Sequence, residues 1–141
     1  MKMEQNSNLK KFLMSNMIQK RKRATAIVET DKGILLVSHS KRPIFMLPGG
    51  GVKRGEHSIC AVVRELYEET GLHSSEVKYL FDLTTTHHEH KVFLIKPFGE
   101  LRKRHETKHI AFWNNFSSGN LKIAWHVQPI IKKYYEIKES K

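Results

Sequence analysis

GGGVKRGEHSICAVVRELYEETGL, residues Gly49 to Leu72, joins three consecutive glycines to a run with helical periodicity. Its apolar positions Ile59, Val62, Val63 and Leu66 fall at i, i+3, i+4 and i+7, which predicts an amphipathic helix with that stripe toward the core. Glu65, Glu68 and Glu69 fall at i, i+3 and i+4, so they share a second face. Like charges at that spacing disfavour a helix by about 0.2–0.5 kcal/mol per pair. A solvated face tolerates this. The sharper reading is a hard divalent cation, because Mg²⁺ is held by a few carboxylates together with substrate phosphates. His57 or Ser58 stands where the helix cap belongs, and Gly71 followed by Leu72 fits the left-handed C′ residue and its apolar successor. Upstream, Pro48 to Gly51 reads as a loop whose backbone can pass close to a ligand. A glycine loop leading into a carboxylate helix suits a phosphate-bearing molecule.

The spacing is a glycine, five residues, a glutamate, seven residues, then Arg-Glu-aliphatic-x-Glu-Glu-x-Gly-aliphatic. It resembles the Nudix box at every defined position: Gly50, Glu56, Arg64, Glu65, Leu66, Glu68, Glu69, Gly71 and Leu72. The resemblance to this superfamily, which is MutT-like, implies an α/β/α sandwich with a mixed β-sheet between helices. It implies hydrolysis of a pyrophosphate bond in a nucleoside diphosphate-linked or polyphosphorylated small molecule. The cofactor it implies is Mg²⁺, with Mn²⁺ as the alternative, held by the Gly49 carbonyl and Glu65, Glu68 and Glu69. Arg64 would orient these glutamates, and Glu56 would support the metal shell or the loop. The general base would come from the box, with Glu68 as its candidate, or from a later loop. There Glu106, seven residues before Trp113, leads Glu100 and Glu89. Arg23, Ser40, Lys41, Arg42, Gly50 and Gly51 are candidates for substrate contacts, since Arg and Lys pair strongly with phosphate oxygens. A Nudix-like module that binds without cleaving is the alternative function, and the complete carboxylate set argues against it.

Within the superfamily the chain looks most like the diphosphoinositol and diadenosine polyphosphate phosphohydrolases, through Lys22-Arg23-Ala24, Leu35 to Ser40 and Leu47 to Gly51. ADP-ribose hydrolases of the family carry a proline some way after the box. Here no proline lies between Leu72 and Pro97, and His87 stands at about that place. The coenzyme A motif upstream of the box is absent as well.

The 141 residues suit one domain with a real core, and 39% hydrophobic with 28% charged residues is a globular composition. No apolar run approaches membrane-spanning length. Cys60 is the lone cysteine, so no intrachain disulfide forms, and a reducing, cytoplasmic setting is the default. Its place beside the apolar stripe suggests a small packed residue. The net charge of +11 favours polyanionic ligands. No nucleic-acid motif accompanies it, so phosphorylated small molecules fit better than nucleic acid.

Residues 1–22 form an N-terminal extension with weak helical periodicity from Leu9 to Ile18. Packing on the domain, a homodimer contact and a disordered start are all open for it. The basic run Lys20 to Arg23 reads as a solvated approach to the first strand. The Nudix domain is placed at 23–137 and a tail at 138–141, with fraying from residue 136. Strands are expected over Ala24–Thr30, Ile34–Ser38, Val77–Thr86, Lys91–Lys96 and Ile110–Trp113, with a turn at Asp31-Lys32-Gly33. His87-His88-Glu89-His90 admits a transition-metal site, but surface histidines at a strand–turn–strand are the commoner cause of such a run. Residues 99–108 read as a charged loop able to move, and Phe116 to Lys122 as a connector. Val127, Ile130, Ile131 and Tyr134 repeat at helical spacing, with Pro129 near the start, and predict a C-terminal helix. The expected order is β-β-α-β-β-β-α.

Overall fold

The structure is a computed structural model and describes residues 7–10, 20–114 and 118–140. Most of the N-terminal extension therefore lies outside the described residues, as do residues 115–117 of the connector. The strands are β1 (Arg21–Ile27), β2 (Glu29–Thr30), β3 (Gly33–Ser38), β4 (Gly49–Gly51), β5 (His73–Thr84), β6 (His88–Phe98) and β7 (His109–Trp113). Helix α1 (Ser58–Thr70) lies between β4 and β5, and α2 (Val127–Glu139) follows β7 after a short 3-10 turn. One sheet has the order β4-β1-β6-β5 and a second the order β2-β3-β7. The first is mixed: β1 runs parallel to β6, while its pairing with β4 and that of β6 with β5 are antiparallel.

Strand alternation sends side chains to two cores. Ala24, Ala26, Val28, Leu35, Phe93 and Ile95 pack with Ala61, Val62 and Leu66 of α1. Ile27, Ile34, Leu36, Phe81 and Val92 pack with Val127, Ile130, Ile131 and Tyr134 of α2. Each buried Val, Leu, Ile or Phe contributes about 1.5–3 kcal/mol relative to exposure, which fastens both helices to the strands. The result is the expected mixed α/β architecture. Among the described residues no helix is long and apolar enough to cross a membrane.

Four local expectations change. The glycine triplet is a strand, not a loop: β4 pairs with β1 because three residues without side chains let the two backbones and α1 come together. The buried stripe of α1 is Ala61, Val62, Leu66, Glu69 and Thr70, whereas Ile59 is 50% exposed. The helix is turned so that Glu69 points inward, which carries Ile59 and Cys60 out to solvent. α2 extends to Glu139, held near its end by Lys138 Nζ on Glu29 Oε1 at 3.0 Å. Finally, β6 begins inside the histidine run, and His90 is 2% exposed on the α2 side rather than at the surface.

Candidate active site

β4 places the backbone of the site. Thr25, Ala24 and Arg23 on β1 face Gly49, Gly50 and Gly51. A Cβ on Gly49 would strike the Ala24 carbonyl, and one on Gly50 would strike the Glu65 carboxylate. Position 49 therefore requires glycine, while a side chain at Gly50 would have to push the Glu65 carboxylate aside. A Cβ on Gly51 would meet nothing within 4 Å, so sterics do not demand the third glycine. At the other end of α1, Gly71 takes the left-handed conformation (φ 76°) and its N–H bonds the Tyr67 carbonyl. His57 is the N-cap residue and makes no side-chain capping bond.

Two networks hold the glutamates. Arg64 lies at the centre of the first. Its Nε and Nη2 donate to the Glu56 carboxylate at 2.9 and 3.0 Å, and its Nη1 to Glu65 Oε1 at 2.9 Å and Glu68 Oε2 at 3.3 Å. Nη2 also reaches the Gly51 carbonyl at 3.2 Å. The forked guanidinium is suited to this, since it presents several donors in one plane. Arg64 and the Lys53 N–H together hold the Glu56 carboxyl at about 2. Glu56, first among its partners, holds the Arg64 guanidinium above its ordinary range. Glu65 goes the other way. Burial raises its carboxyl, Arg64 opposes that, and the charges of Glu69 and Glu68 add to the rise.

The second network surrounds Glu69, which is 5% exposed. Its Oε1 accepts the Gly49 N–H at 2.8 Å, and its Oε2 lies 2.6 Å from His39 Nε2. His39 follows the last residue of β3, and its Nδ1 is 3.5 Å from Thr107 Oγ1. The Glu69 hydrogen bond raises the His39 imidazole, burial opposes it, and the Glu69 charge and the Glu106 backbone and charge add to the rise. The loop over residues 99–108 is fastened to this end of α1: Arg102 N–H bonds the Thr70 carbonyl and Arg104 N–H the Glu69 carbonyl. Lys108 N–H bonds the Ser38 carbonyl at the end of β3. A segment expected to move is thus tied at three backbone positions.

The structure brings Gly49, Gly50, Gly51, Arg64, Glu65, Glu68, Glu69 and Arg23 together. Arg23 Nη2 donates to the Gly49 carbonyl at 3.2 Å and meets Met46 Sδ at 3.6 Å, while its buried Nε has no partner. Exposed Glu106 lies beside His39. Ser40, Lys41 and Arg42 are exposed in a turn that the Ser38 hydroxyl closes by accepting the Ser40 and Ile44 N–H groups. Glu89 lies opposite Lys22 across β1 and β6, and Glu100 is exposed in the loop near Gly71. His39 is the residue that periodicity did not single out. The available signal was its place one residue beyond a buried strand, where the next side chain turns toward the neighbouring layer.

The donor chemistry suits a hard cation. Glu65 is half-buried beside two further carboxylates, and burial, more than their charges, keeps its carboxyl raised although Arg64 opposes it. Among the described residues, however, no three His, Cys, Asp or Glu side chains are already grouped to hold a metal ion. Glu65 and Glu68 are engaged by Arg64, and Glu69 by His39.

The family model described as NUDIX domain matches residues 19–132. An ADP-ribose pyrophosphatase of Methanocaldococcus jannaschii is 38% identical over 120 residues, covering 77% of this chain and 69% of that protein. The crystal structure of a nudix hydrolase family member from Chromobacterium violaceum superposes with a TM-score of 0.79 at 31% identity, covering 86% of this chain and 80% of that one. A MutT NUDIX hydrolase from Burkholderia pseudomallei shares the fold, with a TM-score of 0.69 at 24% identity over 82% of this chain and 98% of that one. With the box complete, its glutamates gathered at the β4 edge and the family model spanning both cores, the chain belongs to the Nudix family.

Proposed function

We propose that this Nudix pyrophosphohydrolase cleaves the pyrophosphate bond of a nucleoside diphosphate derivative, with Mg²⁺, or Mn²⁺ in its place, as cofactor. The carrying observation is the crowding of Glu65, Glu68 and Glu69 at the Gly49–Gly50 edge, in a chain 38% identical to an ADP-ribose pyrophosphatase. The Gly49 carbonyl, Glu65, Glu68 and Glu69 would hold the cation. When bound, it would neutralise pyrophosphate charge and lower the pKa of a bound water.

The chain's own residues supply the rest. The Gly49 N–H and His39 fix the Glu69 carboxylate from two directions, so its position does not depend on rotamer freedom. Arg64 keeps Glu65 and Glu68 aligned and limits their mutual repulsion. Arg23 sits between the box and the α2 side of the sheet and is placed to pair with a phosphate oxygen. Glu68, whose side chain is 42% exposed, is the most accessible box carboxylate. We assign the general base to Glu106, which is free of Arg64 and beside His39, with Glu68 as the fallback.

The deciding experiment is product analysis on a panel of nucleoside diphosphate derivatives, dinucleoside polyphosphates and nucleoside triphosphates with Mg²⁺, with and without chelator. Metal-dependent release of a nucleoside monophosphate from the first class is expected. Binding without cleavage of any panel member would overturn the enzymatic reading.

A further inference from the structure

The loop over residues 99–108 reaches the box by a route that the box motif does not contain. Arg104 lays its guanidinium over the Tyr67 ring of α1, 4.3 Å from the centroid. Tyr67 in turn lies 4.9 Å from the His73 ring at the start of β5. His73 stacks on Phe98 at the end of β6, with centroids 5.1 Å apart and planes at 25°. The stack joins the loop to α1 and to both strands of the β5–β6 ladder. Arg104 Nη1 is buried with no hydrogen-bond partner, so contact with the ring accounts for the seat of this guanidinium better than polar bonding does. The rest of the residue is fastened by its backbone. Its N–H donates to the Glu69 carbonyl at 3.2 Å, and its carbonyl accepts the Thr107 N–H at 2.9 Å. The second bond closes a tight turn in which His105 takes φ 49°, the one non-glycine residue with positive φ among the described residues. A residue with a Cβ avoids that conformation unless its surroundings impose it.

The turn delivers Thr107 to His39. Thr107 is 6% exposed, and its Oγ1 is 3.5 Å from His39 Nδ1, the long end of hydrogen-bond range. The opposite ring nitrogen, Nε2, is 2.6 Å from Glu69 Oε2. The contacts therefore close a circuit. It runs from the Glu69 carbonyl to Arg104, to Thr107, to the His39 ring, and back to the carboxylate of the same Glu69. We infer that Arg104 and Thr107 are positioning residues: the stacked Arg104 sets the turn, the Thr107 hydroxyl sets the His39 ring, and the ring aims the Glu69 carboxylate. This rests on the hydrolase reading of the box and adds to it the residues that hold Glu69 in place. A hydroxyl suits the task because it donates to a bare ring nitrogen and accepts from a protonated one, so the contact survives in either form of the ring. The second hold matters because the His39 side chain is 31% exposed, and a ring open to solvent on one side swings away unless its other nitrogen is held.

Packing alone would make a different demand on position 107. A residue that only fills space there is replaced well by valine, which keeps the branched shape, and poorly by serine, which lacks the methyl group. A residue that acts through its hydroxyl is replaced well by serine and poorly by valine. The two substitutions therefore give opposite answers.

The His39 ring can be read directly in the full chain, in chelator and without substrate. Proton–nitrogen NMR follows the Nε2–H that faces Glu69 and its rate of exchange with water. Thr107→Val should speed that exchange about tenfold, and Thr107→Ser should leave it within about twofold of wild type. Arg104→Ala should speed it as Thr107→Val does. The double variant should be no faster than the worse single one, because both residues act on one circuit. With Mg²⁺ and the nucleoside diphosphate derivative that wild type cleaves fastest, Thr107→Val should lower kcat about tenfold at a KM within about twofold, and serine should restore it. Unmoved ring exchange in Thr107→Val would overturn the inference, as would a serine variant that exchanges as fast as the valine one. Additive effects in the double variant would also overturn it, by making Arg104 and Thr107 independent. Should Arg104→Ala fail to fold, the valine and serine pair decides alone. Failure of wild type to cleave any panel member would strike the hydrolase reading, and the ring measurement, made without metal or substrate, would still decide this one.

Discussion

Two arginines on opposite sides of one strand pair show how the same side chain serves different ends. Arg64 on α1 is surrounded by Glu56, Glu65 and Glu68, and each of its nitrogens is engaged. Arg23 on β1 looks toward His88, His90 and His126, and one of its nitrogens has no partner. The first arrangement is internally compensated and holds a shape. The second is disfavoured by burial and compensated only by the charges of Glu69 and Glu65 on the box side. Charge balance thus distinguishes an arginine saturated by carboxylate hydrogen bonds from one that carbonyl, thioether and burial surround.

The comparison breaks most visibly at Glu69, which joins the box to His39. Glu69→Gln removes the negative charge and turns one of the two oxygens that face the Gly49 N–H and His39 into an amide nitrogen. It should lower kcat/KM by roughly 10³-fold, the upper end for one lost electrostatic contact, with the circular dichroism spectrum unchanged. Wild-type turnover in this variant would remove the box from the chemistry. Next, Glu106→Gln should lower kcat by about 10²-fold with little change in KM, the lower range for a general base. A loss under about threefold would reduce Glu106 to an exposed surface charge. Gly50→Ala should then cost about tenfold in activity, because the new Cβ displaces the Glu65 carboxylate and misplaces it relative to its neighbours. Gly51→Ala, with open space at that Cβ, should stay within about twofold.

The smallest effect sharpens the Arg23 side. His90 titrates normally near 6.5 but only at about 4 in the folded chain. Its folded pKa is depressed, so the unfolded chain binds the proton first. Stability is then lost as pH falls from about 6.5, and this loss levels off below about 4. Urea midpoints measured across that window should fall. His90→Asn should flatten the dependence, and an unchanged slope would show that other groups set it.

Much of this arrangement is legible in the sequence, and the misses have physical causes. The spacing of Glu65, Glu68 and Glu69 and the Gly71 cap read directly, because helix geometry is local. Hydrophobicity gives the inward placing of Val62, Leu66 and the partly buried Val63 but not the rotation of the helix about them. Buried Glu69 turns the helix and leaves Ile59 outside, a choice made by the Gly49 N–H and His39, which come from other elements. The histidine run shows its composition but not its partner, since His126 lies on a distant segment and joins only through the packing of α2. The glycine triplet reads as a loop because strand propensity is lowest for glycine, and β1 overrides that preference by pairing with it.

The contact between Gly50 and Glu65 carries one more consequence. With any larger residue at position 50 the carboxylate at 65 loses its place, and position 50 is itself defined by the ladder to Ala24. The box is therefore not a portable cassette. A helix bearing these glutamates, grafted onto another scaffold, would need β4 and β1 to come with it, and β1 in turn leans on β6 along its whole length.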